Sequence, residues 1–388
     1  MSPTRTMPPF DVQGLLSDPD TRIVVCCGSG GVGKTTTAAA LALHAAEQGR
    51  RVCVLTIDPA RRLAQSIGLS ELDNTPRQIP GVGLEAGGAL FAMMLDMKRT
   101  FDEIVEQHAD PQRAEQILAN SFYQTLSSSF AGTQEYMAME KLGQLAREAE
   151  QTGEWDLIVV DTPPSRSALD FLDAPERLGS FLDGRFIRFL MAPARVGGRA
   201  YMKIVGTGFS IVSGVMTKIL GAQLLNDLQT LVAGLDSVFG GFRERAEQTY
   251  SLLQAPGTTF VVVAAPEADA LREASYFVER LQSDQMPLGG LVVNRMHTTA
   301  AADLSAERAA GAAEDLHEQK AHTLTAALLQ LHANTMRVIA REAHLLERFR
   351  GAHPAVGVAS APALAGDVHD LPGLRKVGAA LTQITHSA

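Results

Sequence analysis

Long apolar runs are missing from this 388-residue chain. The longest distinctly apolar stretch without a charge, Ile204 to Thr217, has 14 residues, whereas a helix that crosses a bilayer needs about 20. The N-terminus carries Pro3, Pro8 and Pro9 rather than an apolar segment of signal-peptide length, and residues 1–20 read as a disordered lead-in. Basic charge is also short. Lys and Arg number 34 against 43 Asp and Glu, a formal net charge of −9 without a basic cluster. General nucleic-acid binding and capture by anionic membranes both rest on Lys and Arg, so both are excluded. Cysteine is scarce: Cys26, Cys27 and Cys53 are the three. Cys26 and Cys27 are neighbours on a strand and point to opposite faces. No disulfide framework is available, and a reducing cytoplasm is the expected compartment.

What is present is ordinary for a soluble globular protein: 46% hydrophobic and 20% charged residues. The length would suit two or three domains at about 150 residues each. Ile23 to Cys27 is a continuous apolar run ended by glycines, the pattern of a strand buried on both faces of a parallel sheet. An Ala-rich helix over Thr35 to Gln48 follows, closed by Gly49, and then a second strand over Val52 to Ile57. Further buried strands are expected at Trp155 to Val160, Thr259 to Ala264, Leu291 to Val293 and Val356 to Ala359. Strands alternating with helices imply an α/β fold with a doubly wound, mostly parallel sheet. Residues 93–151 and 174–254 show no clear buried strand and read as a helical subdomain inserted into that sheet domain, which runs from 21 to 388. Residues 300–350 read as two charged helices on the outside of the sheet.

Gly28 to Thr35 fits G-x-x-x-x-G-K-[ST]. A chance match in a chain this long is roughly a one-in-a-hundred event, and the motif sits between a strand and a helix, where its mechanism requires it. Backbone N–H groups at Gly30, Gly31, Val32 and Gly33 would cradle phosphates, helped by the N-terminus of the following helix. Lys34 would reach the β- and γ-phosphates, the Thr35 hydroxyl would bind Mg²⁺, and Thr36 adjoins them. Asp161, at the carboxyl end of a buried strand, is placed to hold the same Mg²⁺. The residues Gly28, Gly30 and Gly33 also satisfy G-x-G-x-x-G, and Asp58 lies 25 residues beyond Gly33. An NAD(P)-binding dehydrogenase with Asp58 on a ribose is therefore the remote alternative. The adjoining Lys34-Thr35 and the later acid favour a nucleoside triphosphate.

Together these motifs resemble the arsenite-pump and guided-entry (tail-anchored protein targeting) ATPase family, as a bacterial member with a single ATPase half. The residues that carry the resemblance are GSGGVGKTTTAAALA, Leu55 to Ala60, Val160 to Pro164, Ala265-Pro266-Glu267, Val293-Asn294-Arg295, and Pro362-x-Leu364 followed by Asp367-Val368. The resemblance implies an ATP-hydrolysing switch that uses ATP/ADP and Mg²⁺. It gives Asp58 the attacking water, Asp161 to Pro164 the sensing of the γ-phosphate, Asn294 the adenine edge and Pro362 the loop over the base. It further implies a dimer, a cytoplasmic location with peripheral membrane association as an option, and a hydrophobic or membrane-protein client.

Three departures qualify this picture. Many members carry a second lysine just after the first glycine of the phosphate loop, which reaches a partner's phosphates; here the position is Ser29. Either the homodimer hydrolyses slowly, or a lysine-bearing paralogue pairs with this chain, or Arg61 or Arg62 substitutes. A weakly hydrolysing scaffold subunit is the alternative that Ser29 keeps open. Secondly, no Cys-x-x-Cys occurs and no cysteine follows Cys53, so neither a zinc clasp nor an iron–sulfur cluster is expected, and an arsenite role is disfavoured. Thirdly, Ser165-Arg166-Ser167 differs from the usual sequence after the second switch. A membrane-cycling positioning ATPase is a weaker reading, because the C-terminal tail offers only Arg375 and Lys376 after Leu371. In the insertion, eight of thirteen methionines lie between Met93 and Met216, and Phe181, Phe186, Phe189, Leu190 and Met191 cluster. Most would pack the subdomain's own core, and a minority would form a client or partner surface. The acid-poor, glycine-bearing stretch 184–216 reads as a mobile loop.

Overall fold

The computed structural model describes residues 9–58, 62–120, 123–124, 127, 134–163, 242–320 and 322–383. Pro59 to Arg61, Pro164 to Ser167, the Phe181 to Val215 cluster and the apolar run Ile204 to Thr217 lie outside the described residues. The described residues fall into two compact units. The first is drawn from Met1–Met94, Gln151–Ala168 and Leu253–Ala388, the second from Leu95–Glu150 and Leu169–Leu252.

The first unit is built on an eight-stranded sheet. Its strands are β1 (Ile23–Cys27), β2 (Arg51–Thr56), β3 (Arg77–Gln78), β4 (Ala89–Met94), β5 (Leu157–Asp161), β6 (Thr258–Ala264), β7 (Leu288–Met296) and β8 (Val358–Pro362). Their spatial order is β3-β4-β2-β5-β1-β6-β7-β8. Every pair is parallel except β3 with β4. Both β1 and β5 are buried at every position, which is why they read as unbroken apolar runs. The helices of this unit are α1 (Val12–Ser17), α2 (Lys34–Glu47), α3 (Arg62–Ser66), α8 (Ala268–Ser283), α9 (Ala306–Glu318), α10 (Thr323–Ala352) and α11 (Leu371–Thr382). The Ala content of α2 lets it lie close: Ala38 through Ala46 are buried apart from His44, and α11 brings Gly378 against the Ala40 carbonyl.

Two expectations are corrected here. Residues 9–20 are not a disordered lead-in. Pro9 bridges to Val358, Phe10 N–H donates to the Val358 carbonyl at 3.3 Å, the buried Phe10 ring lies where side chains at Gly289 and Gly290 would otherwise stand, and the Phe10 backbone lies against Gly357. Asp11 then caps α1 by accepting from Gly14 N–H. The proline content hid this because the burial comes from glycines almost 300 residues away in the chain. The second correction is β4, with its short antiparallel neighbour β3. In Ala-Leu-Phe-Ala-Met-Met all but the Phe are good helix formers, yet pairing with β2 from Arg51↔Ala89 to Thr56↔Met94 makes the segment a strand. Helix therefore begins at Met97 rather than Met93.

The second unit contains α4 (Met97–His108), α5 (Pro111–Ala119), α6 (Gln134–Thr152) and α7 (Phe242–Gln254). Met137, Met139 and Leu142 on α6 are fully buried, as are Ile104 and Val105 on α4, so these two methionines pack the unit's own core. Buried Glu140 accepts from Arg245 Nε at 2.9 Å and from the Tyr136 hydroxyl at 3.1 Å, and Lys141 donates to Glu103 at 3.0 Å. A buried carboxylate requires such partners to remain ionised.

Candidate active site

The chain leaves β1 through Gly28, whose φ is +148° and where a Cβ would strike the Val263 carbonyl of β6. Only glycine fits that approach. The loop closes at Gly33 (φ +93°), which caps α2 without any side-chain hydrogen bond. The first N–H groups of α2 are thus left to an anion, with the helix dipole behind them. Lys34 is the first residue of α2 and is buried. Its Nζ donates to the Ser29 carbonyl at 2.8 Å, folding back over the loop. Burial lowers the Lys34 pKa, while the charges of Asp161, Cys27 and Asp58 oppose that shift.

Asp161 ends β5, the strand directly beside β1. Its Oδ2 accepts from Thr35 Oγ1 at 2.7 Å and from Thr56 Oγ1 at 2.9 Å. Its Oδ1 is buried with no hydrogen-bond partner. Burial pushes the carboxyl up from 3.8 to about 6, against the two threonine hydrogen bonds and Lys34, which pull it down. A buried acid with one orphaned oxygen beside a hydroxyl is a poor structural device and a fitting hard-cation donor set. The residues present therefore fit Mg²⁺.

The ends of three further strands meet a cavity of about 940 Å³ that Lys34 and Thr35 also line. Asp58 follows β2 and lies 3.8 Å from the exposed Arg62 guanidinium at the start of α3. Asn294 on β7 donates from Nδ2 to the Val32 carbonyl at 2.9 Å and accepts at Oδ1 from Arg295 N–H at 3.0 Å. Its carboxamide clasps the phosphate loop, leaving one N–H and one lone pair for a base edge. Pro362 is the last residue of β8.

Of the residues singled out in the sequence, Gly31, Gly33, Lys34, Thr35, Thr36, Asp58, Asn294 and Pro362 line this cavity. Gly30, Val32 and Asp161 do not; Asp161 adjoins the lining through its hydrogen-bond partner Thr35 and its neighbour Thr162. Sequence reading missed Thr56, the second hydroxyl on Asp161, although it sits two residues before Asp58. It also missed His297, a cavity residue whose Nδ1 lies 2.6 Å from Glu342 Oε1 and whose backbone N–H donates to Oε2 at 2.9 Å. Glu342 is a buried acid on a surface helix, and no local pattern marks it.

The strand order decides against the dinucleotide alternative. In that fold the strand after the glycine-loop helix lies next to the first strand. Here β5 stands between β1 and β2, so the inserted neighbour brings Asp161 to the phosphate loop.

Comparison with known proteins agrees with this geometry. A family model described as anion-transporting ATPase matches residues 21–348. The chain is 26% identical over 286 residues to ATPase GET3 of Podospora anserina, covering 74% of this chain and 76% of that protein. It is 27% identical over 292 residues to ATPase ARSA2 of Chlamydomonas reinhardtii, covering 75% and 72%. A shorter match, 30% identical over 158 residues, is to the arsenical pump-driving ATPase of Acidiphilium multivorum, covering 40% and 26%.

Proposed function

The chain belongs to the anion-transporting ATPase family, and from that premise we propose how its residues run a nucleotide-driven switch. It is an ATPase that converts ATP to ADP and phosphate and couples nucleotide state to binding of a client or anion. The backbone N–H groups of Gly30 to Gly33 and the start of α2 hold the phosphates, with Thr36 on the first turn. Lys34 exchanges the Ser29 carbonyl for β- and γ-phosphate oxygens, an ion–ion contact worth more than the ammonium–carbonyl contact it leaves. Thr35 and Asp161 would hold Mg²⁺, which would neutralise charge on the phosphate oxygens. Asp58 orients the attacking water for in-line displacement. Asn294 and Pro362 receive the base.

The observation that carries this reading is the Thr35–Asp161 hydrogen bond with the unpartnered Asp161 oxygen beside it. A thermal-shift comparison tests it. Mg²⁺–ATP is expected to raise the melting temperature and NAD is not; stabilisation by NAD alone would overturn it.

The switch acts through two segments, the one after Asp58 and the one after Asp161, and the second leads within a few residues into the chain of the second unit. The working form is a dimer, with Ser29 favouring a heteromeric partner that supplies the missing lysine. The client is a hydrophobic or membrane protein, in keeping with the resemblance to the guided-entry ATPases. A soft metalloid cargo is disfavoured, since all three cysteines are buried in β1 and β2 and burial raises the Cys26 and Cys27 thiols, Cys27 to about 12. A cytoplasmic location fits these residues, and no described helix is long and apolar enough to cross a membrane. Purification with a trapped nucleotide, followed by identification of what co-purifies, reports partner and client together.

A further inference from the structure

Glu342 is the one charged side chain among the residues that α10 buries. Taking a carboxylate out of water is costly unless its oxygens meet donors. Both donors come from a single residue of the cavity wall: the His297 backbone N–H gives to Oε2 at 2.9 Å, and the ring Nδ1 lies 2.6 Å from Oε1. One acid thus fixes both the backbone and the ring of His297. A carboxylate accepts, so Nδ1 carries the ring proton, and Nε2 on the opposite edge is the polar atom left to offer. The histidine side chain is 48% exposed where Glu342 is 7%, and it lines the cavity that holds Asn294 and Pro362. Its place along that cavity is set by the strands. Arg295 turns β7 with φ +61°, Met296 pairs with Pro362 of β8, and the Met296 carbonyl accepts from Ala363 N–H at 2.8 Å. His297 is thereby carried beside the loop that leaves β8, three residues beyond Asn294 and on a different strand from Lys34 and Thr35.

We propose that His297 binds a ribose hydroxyl of the nucleotide through Nε2, with Glu342 as its positioning residue. The proposal rests on the nucleotide reading of the cavity. Asn294 and Pro362 take the edge and face of the base, so the part of the nucleoside still without a partner is the sugar. A hydroxyl both donates and accepts. It pairs with Nε2 as donor to the neutral ring and as acceptor from the charged one, so the contact survives a change of protonation. A ring held in place beforehand also loses little freedom on binding. Asp367 and His369 line the same cavity, but both are exposed on the loop after β8, whereas His297 is tied down by a buried acid.

Calorimetric titration of the full chain with ATP, ADP, 2′-deoxy-ATP and 3′-deoxy-ATP tests the contact. Wild type is expected to bind ATP about 5–10-fold tighter than at least one deoxy analogue, the worth of one hydrogen bond. His297→Ala is expected to weaken ATP and ADP alike by that factor and to lose the preference. Glu342→Ala removes no atom that touches nucleotide, yet is expected to lose most of the same preference, and adding His297→Ala to it costs little more. A Glu342→Ala chain with a lower melting temperature but the wild-type ratio of ATP to deoxy analogue overturns the positioning role. The contact itself is overturned by a wild type indifferent to both hydroxyls, by a His297→Ala chain that keeps the preference, or by a loss confined to ATP, which would put His297 on the terminal phosphate. Should His297→Ala fail to fold with Glu342 left unpaired, His297→Ala combined with Glu342→Gln carries no unpaired charge and gives the same ratio. A wild type that binds no adenine nucleotide fails the nucleotide reading and this contact together; ATP binding with an unaltered ratio in the variants fails the contact alone.

Discussion

Replacing Asp161 by Asn is expected to stabilise the nucleotide-free chain while removing its response to magnesium. The carboxyl is pushed up from 3.8 to about 6. Between those pH values the folded chain keeps a proton that the unfolded chain has released. Wild-type stability therefore falls as pH rises from about 4 to about 6, and the full penalty stands above that window. A shift of this size corresponds to roughly 3 kcal/mol. Asn removes the charge but puts an N–H near the orphaned Oδ1 position, and an unpartnered buried donor returns about 1–2 kcal/mol. The net gain at pH 8 is thus about 1–2 kcal/mol; it vanishes near pH 5, and below about pH 4 the variant is the less stable protein by about 1 kcal/mol. Urea unfolding can follow Trp155, the one tryptophan of the chain, which is buried and edge-on to Phe91 at 5.8 Å. A variant less stable than wild type at pH 8, or one still stabilised by Mg²⁺–ATP as wild type is, would refute the reasoning.

Other substitutions separate binding, turnover and folding. Asp58→Asn is expected to bind a fluorescent ATP analogue normally and to lose phosphate release by about 10²–10⁴-fold; lost binding would instead make Asp58 structural or a metal ligand. Gly33→Ala forces a side chain into positive φ and onto Asn294 Nδ2, with an expected cost of about 1–3 kcal/mol and weaker ATP binding in a titration. Unchanged affinity would show that the Asn294–Val32 clasp does not shape the loop. Arg50 is mostly buried, pairs with Asp156 at 2.8 Å and donates to the carbonyls of Leu16, Asp18 and Thr21. Arg50→Ala is expected to cost about 2–4 kcal/mol in urea unfolding, with ATP affinity intact. A neutral effect would mean that the segment from Phe10 to Thr21 is held by its buried side chains Phe10, Val12 and Leu16 without Arg50.

The core of the sheet was legible because β1 and β5 are buried at every position and β2, β6 and β7 carry buried apolar runs, Val52–Leu55, Phe260–Ala264 and Leu291–Val293. The phosphate loop was legible because phosphate binding demands glycines, Lys34 and Thr35 at fixed spacing. Asp161 was found for a related reason: an acid that ends an apolar strand is conspicuous. What stayed hidden depends on residues distant in sequence. Phe10 is ordered by glycines at 289, 290 and 357, and β4 by pairing with β2 against its own helix propensity. Glu342 holds His297 from a helix whose local sequence is that of an ordinary surface. The position of β5 between β1 and β2, which excludes the dinucleotide fold, is a matter of topology that no local pattern records.

The central claim is that ATP is bound and hydrolysed at the phosphate loop, with Lys34 on its phosphates. Steady-state phosphate release, wild type against Lys34→Ala, tests it most directly. The account predicts Mg²⁺-dependent turnover that falls by about a hundredfold or more in the variant, with its urea unfolding otherwise close to wild type. Equal turnover in the two proteins would contradict it.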